Sequence, residues 1–311
     1  MDEELLSVRV AELYYDAGKT QDEIGALLDI SRFKVGRLLT RAREAGIVRI
    51  EIVHPSARKL GLERALTERY PRLTDAVVVP AGDGADLLDR VAHAAADHLR
   101  ALRPVPRTLG VSWGRTLTAV AAQLADGWAR GVTVVQVNGG VSVNRRPGGA
   151  AQVAATIAER AAGQAVLLPS PAILEQEETA RAIQNDRTVA SVLALAARAD
   201  AHLFSAGVCD VTSAHVENGY LDEGDIHTLQ QRGAVGDVLG RYIDAEGNIV
   251  DPALDARTVG MPLTRLRTQE RAVFITAGPT KHHLARTVVG TGLCTVIVTD
   301  EHTARALLED A

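Results

Sequence analysis

Four residues in the segment "GVSWGRTLT" have types and spacing suited to binding an anion. The segment is typical of a strand that ends near Ser112, a loop containing Gly114, and a helix that starts near Thr116. Free amides at the helix start, two hydroxyl groups and the guanidinium of Arg115 can meet one anion, most naturally a phosphate. The segment matches no strict P-loop or dinucleotide pattern, so an ordinary strand-to-helix loop with a capped helix stays an alternative.

Polar residues follow other predicted strands at equivalent positions. "VNGG" contributes Asn138 and Gly139, and "GAVGD" contributes Asp237 among glycines that let the backbone approach a ligand closely. "TAGPTKHHL" places Lys281 just before a helix, where a cation can hold a phosphate or a sugar hydroxyl. On chemistry alone, Asp237 and Lys281 are equally consistent with a surface turn and a solvated lysine.

A second group of chemically active residues is basic and lies near the N-terminus. Thr20 and Glu23 form a predicted capping box for one short helix, Ser31 can cap the next, and Gly46 can end it. The second helix has two faces, with Val35, Leu38, Leu39 and Ala42 inward and Arg32, Lys34, Arg37, Arg41 and Arg43 outward. Two short helices, a tight turn and a basic outer face predict a helix-turn-helix.

The charge distribution favours DNA as the partner of this helix. The whole chain carries a formal net charge of −5, whereas the segment from Ser31 to Arg49 carries +5 with Glu44 as its one acid. A focused basic patch on an acidic protein is the pattern expected for contact with DNA, and a solvated or generic interaction helix is the less favoured alternative. We expect bases to be contacted by Arg32, Lys34 and Arg37, and phosphates by Ser31 and Arg41.

The flanking segments complete the predicted N-terminal domain, residues 1–54. A helix is expected over Leu5–Ala17, and "IVRIEIV" after Gly46 has the β-branched pattern of a wing strand. Together they predict a winged helix-turn-helix. Residues 55–70 are predicted to be a linker and a connecting helix over Lys59–Tyr70.

Composition limits the class of protein. At 311 residues with 46% hydrophobic and 23% charged residues, the chain is typical of a globular protein of two domains. No apolar run approaches the ~20 residues of a membrane span, and the N-terminus is acidic where a secretory signal would be basic. Cys209 and Cys294 are interpreted as reduced core thiols. We therefore predict a cytoplasmic protein without a membrane partner.

Residues 71–311 alternate short aliphatic runs with helical patterns. The predicted strands are "TDAVVVP", "RTLGVSW", "VTVVQVN", "AVLLPS", "AHLFSAG", "AVFITAG" and "CTVIVTD". The predicted helices are Asp83–Leu102, Thr116–Gly127, Ala150–Ala162, Thr188–Ala199, His282–Gly290 and Glu301–Leu308. This alternation predicts an α/β domain with a Rossmann-like, mostly parallel sheet, and ligands of such sheets bind beyond the carboxyl ends of the strands. "RYIDAEGNIV" predicts a separate hairpin.

The chain resembles the SorC family of sugar-responsive transcriptional regulators. The resemblance covers essentially all of it, through "YYDAGKTQDEIGALLDISRFKVGRLLTRAREAGIVRIEI", "GVSWGRTL", "VNGG", "GAVGD" and "AGPTKHHLARTVVGTGLCTVIVTDEHTARALL". It implies the fold shared by sugar-phosphate isomerases, deaminases and coenzyme A transferases, a sugar-phosphate or polyol effector, and homodimers or homotetramers. Its phosphate loop falls on Gly114, Arg115 and Thr116, and its sugar contacts on Asn138, Gly139, Asp237, Lys281 and, less securely, Gln152.

Two positions depart from this family. Some relatives carry Lys or Arg where Asn138 stands, for a Schiff base or a second phosphate, and an amide can do neither. Arg145 and Arg146 lie close enough in sequence to compensate. Gly36 stands where relatives commonly carry Ser, and a helix-interior glycine costs ~1 kcal/mol relative to Ala. It either permits close backbone approach or is neutral drift.

The leading hypothesis is a regulator whose affinity for double-stranded operator DNA depends on an effector. The alternatives are a sugar-phosphate isomerase or deaminase with Asp237 as general base, and a scaffold with a degenerate pocket. An enzyme has no need of a helix-turn-helix, and the sequence shows no clear His or Glu beside Asp237. We therefore expect no catalytic residue and no cofactor. We also expect no metal, since His282 and His283 point in different directions on a helix.

Overall fold

The structure is a computed structural model that describes residues 3–48, 58–82, 84–140 and 149–309. The chain divides into two compact units, Met1–His54 and Pro55–Ala311. Among the described helices, none combines the length and apolarity needed to cross a bilayer.

In the described part of the N-terminal unit, three α-helices pack around a small aliphatic core. They are α1 (Glu3–Ala11), α2 (Gln21–Leu28) and α3 (Arg32–Glu44). The core residues are Val10, Ala11, Leu13, Ile24, Val35, Leu38, Leu39 and Ala42. The predicted helix Leu5–Ala17 is in fact α1 followed by a π-helical turn over Glu12–Asp16.

The caps of α2 and α3 confirm the predicted helix-turn-helix boundaries. The Thr20 hydroxyl accepts from the Glu23 amide, and the Glu23 carboxylate accepts from the Thr20 amide at 2.8 Å. The Ser31 hydroxyl accepts from the Lys34 amide at 3.2 Å, and Gly46 follows the end of α3 with φ of 72°. Most of the predicted wing strand, from Arg49 onward, lies outside the described residues.

The described residues of the larger unit form two sheets. In chain order the strands are β1 (Asp75–Val79), β2 (Thr108–Val111), β3 (Thr133–Gln136), β4 (Gln164–Val166), β5 (Ala201–Phe204), β6 (Ala206–Val208), β7 (Gly236–Val238), β8 (Arg241–Ile243), β9 (Ala272–Ile275) and β10 (Val296–Asp300). Seven form a sheet in the order β1-β10-β9-β5-β2-β3-β4, and every pairing in it is parallel. The predicted parallel α/β sheet is confirmed.

Helices cover both faces of this sheet. The helices of the larger unit are α4 (Leu60–Arg69), α5 (Gly84–Ala101), α6 (Arg115–Gln123), α7 (Ala150–Arg160), α8 (Glu177–Asn185), α9 (Arg187–Ala197), α10 (Ala214–Glu217), α11 (Glu223–Gln231), α12 (Pro252–Arg257), α13 (Leu263–Leu266), α14 (His282–Gly290) and α15 (Glu301–Leu308). Alternate residues of β1 enter different cores: Ala76 and Val78 pack with α4, α9, α14 and α15, whereas Val77 and Val79 pack with α5, α6 and α7. Burial on both faces explains why the strands are continuously aliphatic.

The second sheet is small and antiparallel, in the order β6-β7-β8. The predicted hairpin "RYIDAEGNIV" is confirmed: Ile243 and Ile249 form an antiparallel bridge, and the Val250 amide donates to the Tyr242 carbonyl at 3.1 Å. Its first strand, β8, also pairs with β7. The prediction that Asp237 lies in a loop at the end of a main-sheet strand is wrong: it is the central residue of β7. Helices α8, α10, α11, α12 and α13 were not predicted.

Candidate functional site

A cavity of about 630 Å³ opens at the carboxyl ends of β9, β5, β2 and β3. Its position follows from the fold, since ligands of parallel sheets bind at this edge. Seven of the predicted effector residues line it, namely Ser112, Gly114, Arg115, Thr116, Asn138, Asp237 and Lys281. These residues come from four separate stretches of the chain, which the fold brings together.

The loop between β2 and α6 has the geometry of an anion site. Gly114 is the N-cap of α6 with φ of 120°, a conformation that favours glycine over any L residue. The first intrahelical bond is donated by Thr118 to the Gly114 carbonyl at 2.9 Å, so the amides of residues 115–117 have no intrahelical acceptor. Ser112 and Thr116 are buried beside them. A helix start with free amides and hydroxyl groups favours an anion.

Lys281 contributes a cation to the same cavity. It ends a 3-10 turn, Pro279–Lys281, that leads directly into α14. Burial lowers the pKa of Lys281 to about 8, the nearby Asp237 carboxylate partly opposes this shift, and Arg115 adds to it. No carboxylate of the described chain lies within the 4 Å of an ion pair with its ammonium, and an anionic ligand would supply the missing charge.

Asp237 is held rigidly within the small sheet. Its Oδ2 accepts from the Gly240 amide at 2.9 Å, across a turn in which Leu239 has φ of 56°. Gly207 stands opposite on β6, where a Cβ atom would lie 2.3 Å from Asp237 Oδ1. Position 207 therefore has to be glycine for the carboxylate to keep this place.

The expectation that no histidine accompanies Asp237 is wrong. His215 of α10 is buried, and its Nδ1 lies 3.7 Å from Asp237 Oδ1 and 3.1 Å from the Tyr242 hydroxyl. Burial raises the pKa of Tyr242, so this phenol stays protonated. His215 is 22 positions from Asp237 in sequence, and α10 has no strong sequence pattern, so nothing local indicates the contact.

Two polar atoms at the cavity have no hydrogen-bond partner among the described residues. They are the Oδ1 of Asn138 and the Oγ of Ser205, both buried. Buried polar atoms are nearly always paired, so these atoms mark where a ligand or water donates or accepts. Ser205 is not among the predicted effector residues, although it directly follows β5 in "AHLFSAG", as Ser112 follows β2.

Two predicted effector residues do not line the cavity. Gly139 lies behind it, where its carbonyl accepts from Trp113 Nε1 at 2.8 Å and its amide donates to Val259. Gln152 is exposed on α7, where its amide donates to the Thr156 hydroxyl. An i, i+4 bond on the helix surface thus replaces the expected ligand contact.

Further predictions fall partly beyond what the structure describes. Arg145 and Arg146 lie outside the described residues. Within the described ranges, no three His, Cys, Asp or Glu side chains are grouped so that they could hold a metal ion. Cys209 and Cys294 are buried free thiols, and burial raises the pKa of Cys209 to about 11 and that of Cys294 to about 12.

The predicted DNA-contacting residues occupy different parts of the α3 surface. Arg32 and Arg37 are exposed, and Arg32 lies 3.5 Å from Asp22 of α2. Lys34 is half-buried, and Ser31 caps the helix. Arg41 donates to Glu3 of α1 at 2.5 Å, so DNA would have to compete with an internal ion pair for this side chain.

Comparisons with known proteins identify the class. Residues 54–309 match the family described as "Putative sugar-binding domain". The chain is 31% identical over 310 residues to the deoxyribonucleoside regulator of Bacillus subtilis (strain 168), covering 99% of each. It is 27% identical to the erythritol catabolism regulatory protein EryD of Brucella abortus (strain 2308), covering 97% of this chain and 96% of the relative.

A solved structure extends the likeness to the whole chain. The full-length sorbitol operon regulator SorC from Klebsiella pneumoniae superposes with a TM-score of 0.73 at 26% identity, covering 99% of this chain and 100% of that one. The fold and its relatives define a transcriptional regulator with a sugar-binding domain. The chain belongs to this sugar-binding family, and the resemblance to SorC regulators is confirmed.

Proposed function

We propose that this protein controls a carbohydrate or polyol catabolic operon, and that a phosphorylated sugar or polyol in the cavity sets its affinity for operator DNA. The observation that carries the proposal is the convergence, in one cavity, of the free amides at the α6 start and the partly desolvated ammonium of Lys281. Two positive centres at one cavity favour one phosphate. The cavity volume of about 630 Å³ is within the range of small-molecule sites.

The remaining lining residues would recognise the hydroxyl-bearing part of the ligand. In this proposal the phosphate binds to Gly114, Arg115 and Thr116, with Ser112 as a further donor. Asn138, Ser205 and Asp237 then face the sugar or polyol, and Lys281 bridges the two parts. Asn138 and Ser205 carry polar atoms that lack a partner within the described ranges, and ligand hydroxyl groups can complete their hydrogen bonds.

We further propose that the N-terminal unit, residues 1–54, binds the DNA through α3. Ser31, Arg32, Lys34, Arg37 and Arg41 are the proposed contacts, with Arg32 and Arg37 the most available because both are exposed. Operator DNA places this activity in the cytoplasm. One such module is too small to select a unique site, so a homodimer or homotetramer reading paired half-sites is proposed. Sedimentation showing only a 33.0 kDa monomer, with and without DNA, would contradict it.

The cavity is proposed to bind its ligand without converting it. The pair of His215 and Asp237 beside Lys281 is the one observation that favours an isomerase or deaminase instead, because it places a base, a proton carrier and an amine together. A thermal-shift panel of phosphorylated and free pentoses, hexoses and polyols should give at least one stabilising hit. Incubation of that hit with the protein should leave it unchanged; turnover would support the enzyme.

A further inference from the structure

The most exposed large apolar side chain in the described part of the chain is Phe33, the second residue of α3. Its exposed fraction is 86%, against 59% for Leu27 and 61% for Leu5 in the same unit. Water around an aromatic ring of this size is unfavourable, and nothing in the helix-turn-helix core covers it. The position of this ring therefore requires an explanation outside the folding of the N-terminal unit.

Phe33 lies at the centre of the outward face of α3. Phe33, Gly36, Arg37 and Thr40 are spaced by three and four residues, so they form one stripe along the helix. With Gln21 of α2 and Arg32 they line a shallow groove. The apolar stripe of Val35, Leu38, Leu39 and Ala42 is on the opposite side and is buried. A partner approaching the outward face would meet Phe33 first.

Gly36 adds a second observation at this face. A Cβ atom at position 36 would lie 3.5 Å from Gln21 Oε1, an ordinary contact, so packing between α2 and α3 does not require glycine. Gly36 also has a helical backbone within α3, so its conformation does not require glycine either. The absence of a side chain one turn after Phe33 leaves the ring free on that side and lets a partner surface approach the helix.

The charges beside the ring indicate the chemistry of that partner. Arg32 and Arg37 flank Phe33, and the acid in contact with either of them is Asp22, at 3.5 Å from Arg32. A surface that is cationic at its edges and apolar at its centre matches the major groove of DNA, whose walls are phosphates. The apolar group on its floor is the 5-methyl of thymine, which aliphatic and aromatic side chains contact.

We infer that Phe33 contacts the 5-methyl group of a thymine in the operator and selects thymine at that position. The inference rests on the proposed role of α3 as the DNA-contacting helix. Arg32 and Arg37 supply attraction for phosphates and guanine edges, and the ring supplies discrimination at an adjacent base pair. Uracil forms the same hydrogen bonds as thymine but lacks the methyl group. Replacing thymine by uracil therefore tests the methyl contact without changing any hydrogen bond.

The test uses duplexes selected from a random-sequence library by the full-length protein. Each thymine of a selected duplex is replaced in turn by deoxyuridine, and binding is measured by fluorescence anisotropy. We expect one replacement per half-site to weaken wild-type binding about fivefold. Phe33→Ala should bind the thymine duplex as weakly as the wild type binds the uracil duplex, and should not distinguish the two. Leu27→Ala, a truncation of another exposed apolar side chain, on α2, should retain the fivefold ratio.

Each other outcome overturns the inference. It fails if no thymine replacement affects the wild type, or if Phe33→Ala keeps the wild-type ratio. If that unchanged ratio is accompanied by weaker binding to both the thymine and the uracil duplex, the result would indicate insertion of the ring between base pairs. A changed sedimentation coefficient for Phe33→Ala without a changed ratio would assign the ring to contact between copies of this chain. Failure of the wild type to select any duplex would instead contradict the proposed DNA-binding function itself.

Discussion

The outward face of α3 and the cavity of the larger unit are built in opposite ways. The helix face consists of exposed side chains on a capped helix, and its core is on the other side. The cavity contains groups that the fold holds at an energetic cost. These are the desolvated Lys281, the atoms of Asn138 and Ser205 that have no partner among the described residues, and the left-handed Leu239.

The two kinds of construction suit the two proposed tasks, which are contact with DNA and response to a ligand. A rigid exposed face can bind DNA without altering the energy of the fold. A cavity with unsatisfied groups is stabilised when a ligand pairs with them, and a ligand shifts a conformational equilibrium only by its differential affinity for the two states. In the proposed function, the cavity would therefore act as a switch and the helix face as a fixed DNA-contacting surface.

The largest expected effect is at Lys281 in the cavity, where one substitution should lower effector affinity and raise the stability of the fold. Lys281→Met removes the cation and keeps the aliphatic stem. Effector affinity should fall roughly 10- to 150-fold, because a hydrogen bond to a charged group contributes about 1.5–3 kcal/mol. The melting temperature should rise, since a desolvated ammonium is replaced by an apolar group. Calorimetry measures the effector affinity, and thermal unfolding measures the melting temperature. If Lys281→Met bound the effector as tightly as the wild type does, the effector would bind elsewhere.

On the helix face the same comparison predicts loss of function without a change in stability. Arg37→Ala should weaken operator binding by about 1–3 kcal/mol and relax specificity at one position. The free energy of unfolding should change by less than about 0.5 kcal/mol, because the side chain is exposed. Gel-shift and denaturant titrations measure these quantities. Arg9→Ala on α1 is the control; if both variants bound the operator as the wild type does, α3 would not be the reading helix.

The pH dependence of the cavity should have opposite signs for binding and for folding. Burial lowers the pKa of Lys281 from 10.5 to about 8, so the cation that is proposed to bind phosphate is lost above pH 8. Effector affinity should fall about tenfold between pH 7 and 9. Between pH 8 and 10.5 the unfolded chain binds more protons than the folded one, so the contribution of Lys281 to stability rises with pH. Lys281→Arg, which stays charged, should remove both trends.

The smallest expected effect concerns the edge of the helix face. Arg41→Ala should lower the slope of log affinity against log salt by about 1 and leave specificity unchanged, because a phosphate contact is sequence-independent. Glu3→Gln should strengthen DNA binding slightly, since it releases Arg41 from its ion pair. Both are measured by anisotropy at several salt concentrations. An altered base preference in Arg41→Ala would assign this residue to base contacts.

The sequence predicted those parts of the molecule that depend on local pattern. The caps at Thr20 and Ser31, the aliphatic strands and the glycine at position 114 all follow from short-range chemistry. Polar residues directly after main-sheet strands could be placed together because parallel strands end at one edge. Ser205 also directly follows a main-sheet strand, so the same pattern indicates that it lies at this edge of the sheet.

Tertiary contacts explain what the sequence did not predict. His215 reaches Asp237 only because α10 folds over the small sheet, and no periodic pattern marks that helix. The glycines of "GAVGD" favour a loop at Asp237, whereas it is central in β7. There Gly236 lets β6 and β7 approach, and Gly207 of β6 leaves room for the carboxylate. Gln152 was carried over by resemblance, and its actual partner is Thr156.

Coupling between cavity and helix face is the central claim, and reciprocal titration tests it most directly. The affinity of the full-length protein for a selected duplex is measured with and without saturating effector, and effector affinity with and without saturating duplex. We predict that both change by the same factor of at least about ten, equivalent to ~1.4 kcal/mol of coupling, because linkage is reciprocal. Effector binding that leaves DNA affinity unchanged would contradict the claim.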